Sequence, residues 1–288
     1  MSARISVNRT PKLFIGGGFP RSESGRTYEV TAADGTFLAQ AAMASRKDAR
    51  DAVVAARKAQ PGWAGATAYN RGQVLYRVAE LLEGRRDQLA SEVAAAEGLS
   101  DADASAQVDA SIDRLVWYAG WSDKITIVDG SQNPVAGPFF SFTTPEPTGV
   151  VAAFAPETPS LLGLVSVIAP IIVTGNTVVC STSFAHPLPA VSVAEILATS
   201  DVPGGVVNLL TGDREELAPR LANHRDVDAL DLAGFAGTDT TEHEVAAADS
   251  VTRVRRPGPV DEDWTVEPDP RRMLAFMEAK TVWHPVGT

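Results

Sequence analysis

From residue 148 onwards, four short apolar segments alternate with stretches of helical pattern, and this alternation constrains the fold more than any other feature of the chain. The four segments are mainly apolar and occupy residues 150–154, 177–181, 206–210 and 229–232. Helical patterns separate or follow them, near residues 160–172, 188–199, 214–222 and 239–249. No segment alternates polar with apolar residues, which indicates strands buried on both faces. The sequence therefore predicts an α/β fold with a Rossmann-like, doubly wound parallel sheet.

The first 135 residues are mostly helical in pattern. Ser45 followed by Asp48 predicts a capping box at the start of a first helix, and Pro61 with Gly62 predicts its end. Apolar residues at helical spacing indicate three more amphipathic helices, around residues 74–82, 89–96 and 108–119. We therefore expect an N-terminal helical layer that packs on the sheet.

Charge and cysteine content argue against several classes of protein. The net charge of −11 is unfavourable for binding nucleic acid or an anionic membrane. A single cysteine excludes an internal disulfide framework, and the four histidines lack the spacing of metal ligands, so we expect no metal site. The most apolar stretch, residues 161–174, is too short to span a bilayer and contains Pro170. The first ten residues lack the apolar core of a secretory signal, so we expect a cytoplasmic protein.

The only thiol, Cys180, lies inside the apolar segment 177–181. A nucleophilic cysteine needs a lowered pKa and access to solvent, whereas a thiol in apolar surroundings is inert. We therefore expect Cys180 to have a packing role.

Four sequence blocks, in this order, resemble the NAD(P)-dependent aldehyde dehydrogenase superfamily. They are residues 148–159 (TGVVAAFAPETP), 175–179 (GNTVV), 203–212 (PGGVVNLLTG) and 277–285 (MEAKTVWHP). In that family, the nucleophilic cysteine lies in a catalytic domain between the third block and the fourth. Only residues 213–276 separate these two blocks here. The resemblance thus implies a shortened member that lacks most of the catalytic domain.

The resemblance also implies a division of the chain. Residues 1–135 would be the N-terminal helical part of the cofactor domain, and residues 136–147 an oligomerisation hairpin. Residues 148–256 would form the Rossmann-like cofactor-type domain. The proline-rich, acidic residues 257–271 are typical of a linker, and residues 272–288 would be a terminal oligomerisation strand.

Positions that act on the substrate in the family are changed in this chain. Glu157 stands where the resemblance places an asparagine that donates a hydrogen bond to the oxyanion. An ionised carboxylate offers only acceptors and would repel that oxygen. The general-base glutamate of the family falls near Pro257. We therefore expect no catalytic residue in this chain.

Positions that bind the cofactor in the family are changed as well. Ser181 and Phe184 stand where the resemblance places the lysine and the glutamate that hold the adenosine ribose. In the glycine turn, Gly234 is kept, but Phe235 replaces a serine. NAD(P) is implied by the resemblance alone, and we expect no tightly bound cofactor.

Two polar features near these positions have simpler interpretations. Glu157, Thr158 and Ser160 could form a new polar pocket, but Thr158 or Ser160 as the N-cap of the next helix is favoured. Gly234 and Gly237 are typical of a strand-to-helix turn rather than of a phosphate cradle.

The resemblance also assigns a role in oligomerisation to the terminal segment, residues 272–288. In the family, the terminal strand reaches out and pairs with a neighbouring subunit, next to a hairpin that corresponds here to residues 137–144. We therefore expect an apolar interface formed by Phe139, Phe140, Phe142, Val282 and Trp283.

These observations favour a pseudoenzyme that acts as a structural or regulatory subunit, with a full-length aldehyde dehydrogenase or a second copy of itself as partner. Two alternatives stay open. The chain could be a subunit that takes part in NAD(P)-dependent aldehyde oxidation within a mixed oligomer. Otherwise it could be a nucleotide-binding sensor module.

Overall fold

A five-stranded parallel sheet forms the centre of the structure, a computed structural model that describes residues 9–260 and 262–287. In chain order, the strands are β1 (Thr27–Thr31), β2 (Phe37–Ala42), β3 (Ser131–Asn133), β4 (Phe139–Pro147), β5 (Val150–Phe154), β6 (Thr177–Ser181), β7 (Val207–Leu210), β8 (Ala229–Asp231), β9 (Arg253–Arg255) and β10 (Met277–Pro285). The helices are α1 (Arg46–Gly65), α2 (Ala68–Glu83), α3 (Arg86–Glu97), α4 (Asp101–Trp121), α5 (Ile125–Asp129), α6 (Ser160–Val173), α7 (Leu188–Thr199), α8 (Arg214–Ala222), α9 (Thr241–Ala248) and α10 (Arg271–Leu274). The central sheet has the order β7-β6-β5-β8-β9, with every neighbouring pair parallel. The predicted doubly wound α/β fold is confirmed, and β9 is a strand that the sequence pattern did not indicate.

Both faces of this sheet are buried, as the absence of polar alternation indicated. Successive residues of β5 point to opposite sides: Val151 and Ala153 join one apolar core, whereas Val150, Ala152 and Phe154 join the other. The first core contains α2, α3, α4, α6 and α7, and the second contains α1, α8 and α9. Strands buried on both faces are mainly apolar, as these are.

The predicted capping box of α1 is present. The Ser45 hydroxyl accepts from the Asp48 backbone N–H, and the Asp48 carboxylate accepts from the Ser45 backbone N–H at 2.8 Å. The predicted end at Pro61 is wrong, because α1 continues to Gly65. The last turn is held by Trp63, which is buried and donates from Nε1 to the carbonyl of Ile172 at 2.7 Å. This tertiary contact outweighs the local preference to stop at proline and glycine.

The most apolar stretch of the chain forms α6. Every residue of this helix is buried, between the sheet on one side and the α2–α4 layer on the other. A helix that is apolar all round fits such a position in the core of a large domain. Within the described ranges, no helix combines the length and the apolar character that crossing a membrane requires.

A separate three-stranded antiparallel sheet has the order β10-β4-β3. The terminal strand β10 pairs with β4 of its own chain, from Met277 opposite Pro147 to Pro285 opposite Phe139. One edge of β10 is therefore paired inside the chain, and the pairing with a neighbouring subunit that the resemblance implies stays a prediction. Its start is fixed inside the chain, since the Phe276 carbonyl accepts from Thr148 N at 3.2 Å and from Asn176 Nδ2 at 2.8 Å.

Residues 262–276, which we call the closing segment, lead from the central sheet to β10. The expected linker, residues 257–271, contains Trp264, which is only 5% exposed, and the residues Met273 and Phe276 that follow it are fully buried. Two arginines hold it in place. Arg114 of α4 donates to the carbonyls of Trp264 and Val266 at 2.9 and 2.6 Å, and Arg272 lies 4.9 Å from the Trp264 ring. The prolines and acidic residues of this part of the chain indicated a linker and gave no sign that Trp264, Met273 and Phe276 are buried.

Candidate functional site

The carboxyl ends of β5 and β8 define the place where a doubly wound sheet binds its ligands. The strand order runs from β5 through β6 to β7 in one direction and through β8 to β9 in the other. In folds of this kind, the crevice at the point where the order reverses receives the ligand. The loops after β5, β6, β7 and β8 surround this crevice, and we therefore treat their side chains as the candidate site.

An ion pair between Glu157 and Arg214 crosses the crevice. Glu157 follows β5, and its carboxylate pairs with the Arg214 guanidinium at the first position of α8. The other carboxylate oxygen accepts from Ser183 Oγ at 2.7 Å and from the Ala185 N–H at 3.0 Å. Arg214 also donates to the carbonyl of Gly234. One pair of side chains therefore connects all four loops around the crevice.

Sequence reasoning identified Glu157 but missed Arg214. The basic residue lies in the first turn of a helix, where a positive charge opposes the helix dipole. Its side chain is 12% exposed. An arginine in this unfavourable position, just after the loop that follows β7, could have indicated a functional or paired side chain. It does not reveal which carboxylate is the partner.

The N-terminus of α6 is occupied by side chains from the helical layer. Glu97 Oε1 accepts from the Ser160 N–H at 2.7 Å, and Gln107 Oε1 accepts from the Leu161 N–H at 3.2 Å. The predicted N-cap at Thr158 or Ser160 is therefore wrong, because the residue before the helix is Pro159 and the capping acceptors come from α3 and α4. A cap supplied from distant residues cannot be found from local sequence.

The other residues that correspond to cofactor-binding positions, Ser181, Phe184 and Phe235, lie around the same carboxyl edge of the central sheet. Ser181 is 1% exposed, and within the described residues its hydroxyl has no hydrogen-bond partner. Phe184 stacks on Tyr28 of β1, with ring centroids 4.6 Å apart. Phe235 is buried and packs edge-on against Phe154 at 5.1 Å. Phe184 and Phe235 thus have apolar partners inside the chain, and only Ser181 contributes an unused polar atom.

The turn at Gly234 is close-packed. A Cβ atom at this position would lie 2.5 Å from the carbonyl oxygen of Ala155 and 2.7 Å from Arg214 Nη1. Gly237 has a φ of +70°, which favours glycine, and lies in the next turn. These contacts agree with the interpretation of a tight strand-to-helix connection.

Cys180 is fully buried in β6, as expected of a packing residue. Burial raises the pKa of its thiol to about 12, and the charge of Asp231 adds to this effect. The thiolate that nucleophilic catalysis requires is therefore scarce at neutral pH. Within residues 9–260 and 262–287, no cluster of three potential metal ligands occurs.

The residues at this edge do not fit a dinucleotide. A pyrophosphate binds where helix N-termini and basic groups are free to receive it. Here the Glu215 N–H of α8 donates to Asp213 at 2.9 Å, and the Thr241 N–H of α9 donates to Asp239 at 3.0 Å. The Glu157 carboxylate stands at the mouth of the same crevice, and its partner Arg214 is already neutralised. No catalytic step through such a cofactor follows from these residues.

The residues predicted to form an interface lie at the far end of the three-stranded sheet. Phe139 and Trp283 share one face, with ring centroids 5.8 Å apart, and Phe140 and Phe142 share the other, 5.6 Å apart. Trp283 is 59% exposed, Phe140 44% and Phe139 41%. Phe142 and Val282 are half-buried. The sheet tip, as we call these five residues, is apolar on both faces.

Comparison with known proteins agrees with this architecture. The model of the aldehyde dehydrogenase family matches residues 19–256. The aldehyde dehydrogenase, cytosolic 1, of Elephantulus edwardii is 34% identical over 255 residues, which are 87% of this chain and 50% of that protein. The cytosolic 10-formyltetrahydrofolate dehydrogenase of Pongo abelii is 33% identical over 253 residues, 85% of this chain and 27% of that protein. The chain thus spans half or less of the length of these relatives.

Solved structures give the same result. PnpE from Pseudomonas sp. WBC-3 superposes with a TM-score of 0.81 at 27% identity, over 86% of this chain and 50% of that one. The NAD-dependent aldehyde dehydrogenase of Sinorhizobium meliloti also gives 0.81, at 25% identity, over 86% of this chain and 49% of that one. With a family model that covers most of its length and a matching fold, this chain belongs to the aldehyde dehydrogenase family.

Proposed function

We propose that this chain is a non-catalytic member of the family that acts as a structural or regulatory subunit, assembled with a full-length aldehyde dehydrogenase. The observation that carries the proposal is the contrast between two regions. In the crevice, Glu157 is held by Arg214 and Ser183, and Cys180 is buried, whereas the three-stranded sheet has an exposed apolar tip. Since the relatives named above include cytosolic enzymes, we place this assembly in the cytoplasm.

The loss of chemistry rests on the contacts of Glu157 and Cys180. Glu157 is engaged by Arg214 and Ser183 and supplies no hydrogen-bond donor to an oxyanion. Cys180 is buried in the sheet. Covalent catalysis requires an activated nucleophile with a base in reach, and the crevice offers no such pair among the described residues.

The assembly role rests on the sheet tip. Full burial of a tryptophan covers about 250 Å², so covering the exposed 59% of Trp283 would remove about 150 Å² from water. At about 25 cal/mol per Å², this burial has a transfer free energy of at most about 4 kcal/mol, of which the costs of association leave only a part for the interface. In addition, β10 is an edge strand, and an edge of this kind can pair with a further strand.

The experiment is co-purification of this chain with a full-length family member from the same cells, comparing the wild type with a Trp283→Ser, Phe140→Ser double variant. We expect the wild type to elute with the longer chain and the double variant to elute alone. Removing residues 272–288 is a poorer test, because Arg272, Met273 and Phe276 are packed inside the domain.

Tyr69→Ser is the matched control, because Tyr69 is 65% exposed on α2, outside the sheet tip. It should leave the assembly unchanged. Co-purification of the double variant at the wild-type ratio would show that the contact lies elsewhere. A wild-type assembly made only of copies of this chain would favour the homo-oligomer instead.

A further inference from the structure

A cavity of about 370 Å³ lies between α4 and the closing segment, and Trp264 is one of its lining residues. Its lining includes Arg114 and Tyr118 from α4, Arg255 from β9 and Arg272 from α10. The volume is near the lower end of the range for ligand sites, which suits a compact molecule. None of these residues belongs to the crevice described above.

Four arginines and four carboxylates line this cavity, but the innermost groups are paired unevenly. Asp231 accepts from Arg255 at 3.1 Å and from Arg272 at 2.9 Å, and Glu262 accepts from the same two arginines at 2.7 and 2.8 Å. Two carboxylates therefore neutralise two guanidinium groups in a closed ring. The third guanidinium, that of Arg114, is left over.

Arg114 has no carboxylate partner within the described residues. It is 7% exposed, and its contacts are Ser166 Oγ at 2.8 Å and the two carbonyls of the closing segment. Its Nε–H has no acceptor within the same residues. Burial lowers the pKa of this guanidinium, with a further contribution from Arg272. A buried cation without a counter-ion is costly, so an anion at this point would relieve the cost.

A second group points to the same kind of ligand. Tyr118 is 1% exposed and lines the cavity, and the charges of Arg114 and Arg272 both act on its hydroxyl. This hydroxyl is available as a donor beside the unpaired guanidinium. Glu267, the exposed carboxylate whose charge also acts on Arg114, forms no ion pair within the described residues. The outer acids Asp263 and Asp269 are engaged by Thr265 and Arg271.

We propose that this cavity binds a compact oxyanion, a carboxylate or phosphate group, through Arg114 and the Tyr118 hydroxyl. The anion supplies the missing negative charge and connects α4 with the closing segment. Binding therefore stabilises the closing segment. The site is independent of the nucleotide crevice and of the sheet tip.

The test is isothermal titration of the full chain in a chloride buffer with acetate, succinate and phosphate, at constant ionic strength. We expect saturable one-to-one binding of at least one of them, and the three arms separate carboxylate from phosphate recognition. Tyr118→Phe removes only the hydroxyl and should weaken binding about tenfold, the loss expected for one hydrogen bond to a charged group. Glu267→Gln removes the competing carboxylate and should tighten binding.

Tyr76→Phe is the control, because Tyr76 is exposed on α2 and does not line the cavity. It should bind as the wild type does. The proposal is overturned if none of the three anions gives saturable heat. It is also overturned if Tyr118→Phe binds as tightly as the wild type.

Discussion

Asp231→Asn tests whether the closing segment is docked as the structure has it. Asp231 is fully buried and forms ion pairs with Arg255 and Arg272, the second of which is 10% exposed. Asparagine keeps the size of the side chain but removes the charge, which leaves two arginines with Glu262 alone. Removing one partner of a buried pair costs about 3–5 kcal/mol. Because both arginines keep Glu262, we expect the lower end, about 3 kcal/mol.

The corresponding shift in melting temperature follows from the size of the chain. At about 2.1 cal/mol/K per residue, the unfolding entropy of 288 residues is roughly 600 cal/mol/K. A loss of about 3 kcal/mol therefore lowers Tm by about 5 °C. Scanning calorimetry at pH 7 measures this shift, and tryptic cleavage after Arg271 or Arg272 should become faster.

Glu80→Gln is the matched control, because its ion pair with Arg77 is about half exposed on both sides. Surface pairs of this kind contribute about 0–1 kcal/mol, so its Tm should stay within about 1 to 2 °C of the wild type. If Asp231→Asn melts within 1 °C of the wild type and is cut at the same rate, the closing segment is not held by this ring of charges.

The remaining predictions concern the thiol, the chemistry and the cofactor. Cys180 should resist alkylation in the native protein at pH 8 and react fully in denaturant, because burial raises its pKa to about 12; rapid native labelling would contradict its placement in the sheet. The isolated chain should not oxidise aldehydes, and cofactor-dependent turnover abolished by Cys180→Ala would refute this. NAD⁺ binding measured by calorimetry should be weak or absent, since each lost polar contact to the ribose costs about 1–3 kcal/mol; a micromolar or tighter Kd would overturn the expectation.

The central sheet was predictable because its strands are short, continuous and apolar. Segments such as residues 150–154 and 177–181 are mainly apolar, and the helices between them have clear apolar periods. The strand β9, with the sequence Arg-Val-Arg, lacks this signal and was missed. It is an edge strand, where charged side chains are tolerated.

The candidate site was only half predictable. Glu157 was identified because a family position had changed, but its partner Arg214 lies 57 residues further along the chain. The cap of α6 by Glu97 and Gln107 was missed for the same reason. Local preferences report on neighbours in sequence, whereas these contacts depend on how the loops and helices meet in the folded chain. The packing of Trp264 under Arg272 was likewise invisible in a proline-rich, acidic segment.

Native mass spectrometry of the protein isolated from its own cells tests the central claim most directly. We expect assemblies that contain this 288-residue chain together with a longer aldehyde dehydrogenase chain. The Trp283→Ser, Phe140→Ser variant, expressed in the same cells, should be absent from these assemblies. Masses that correspond only to this chain, alone or in multiples, would contradict the proposed role as a partner of an active enzyme.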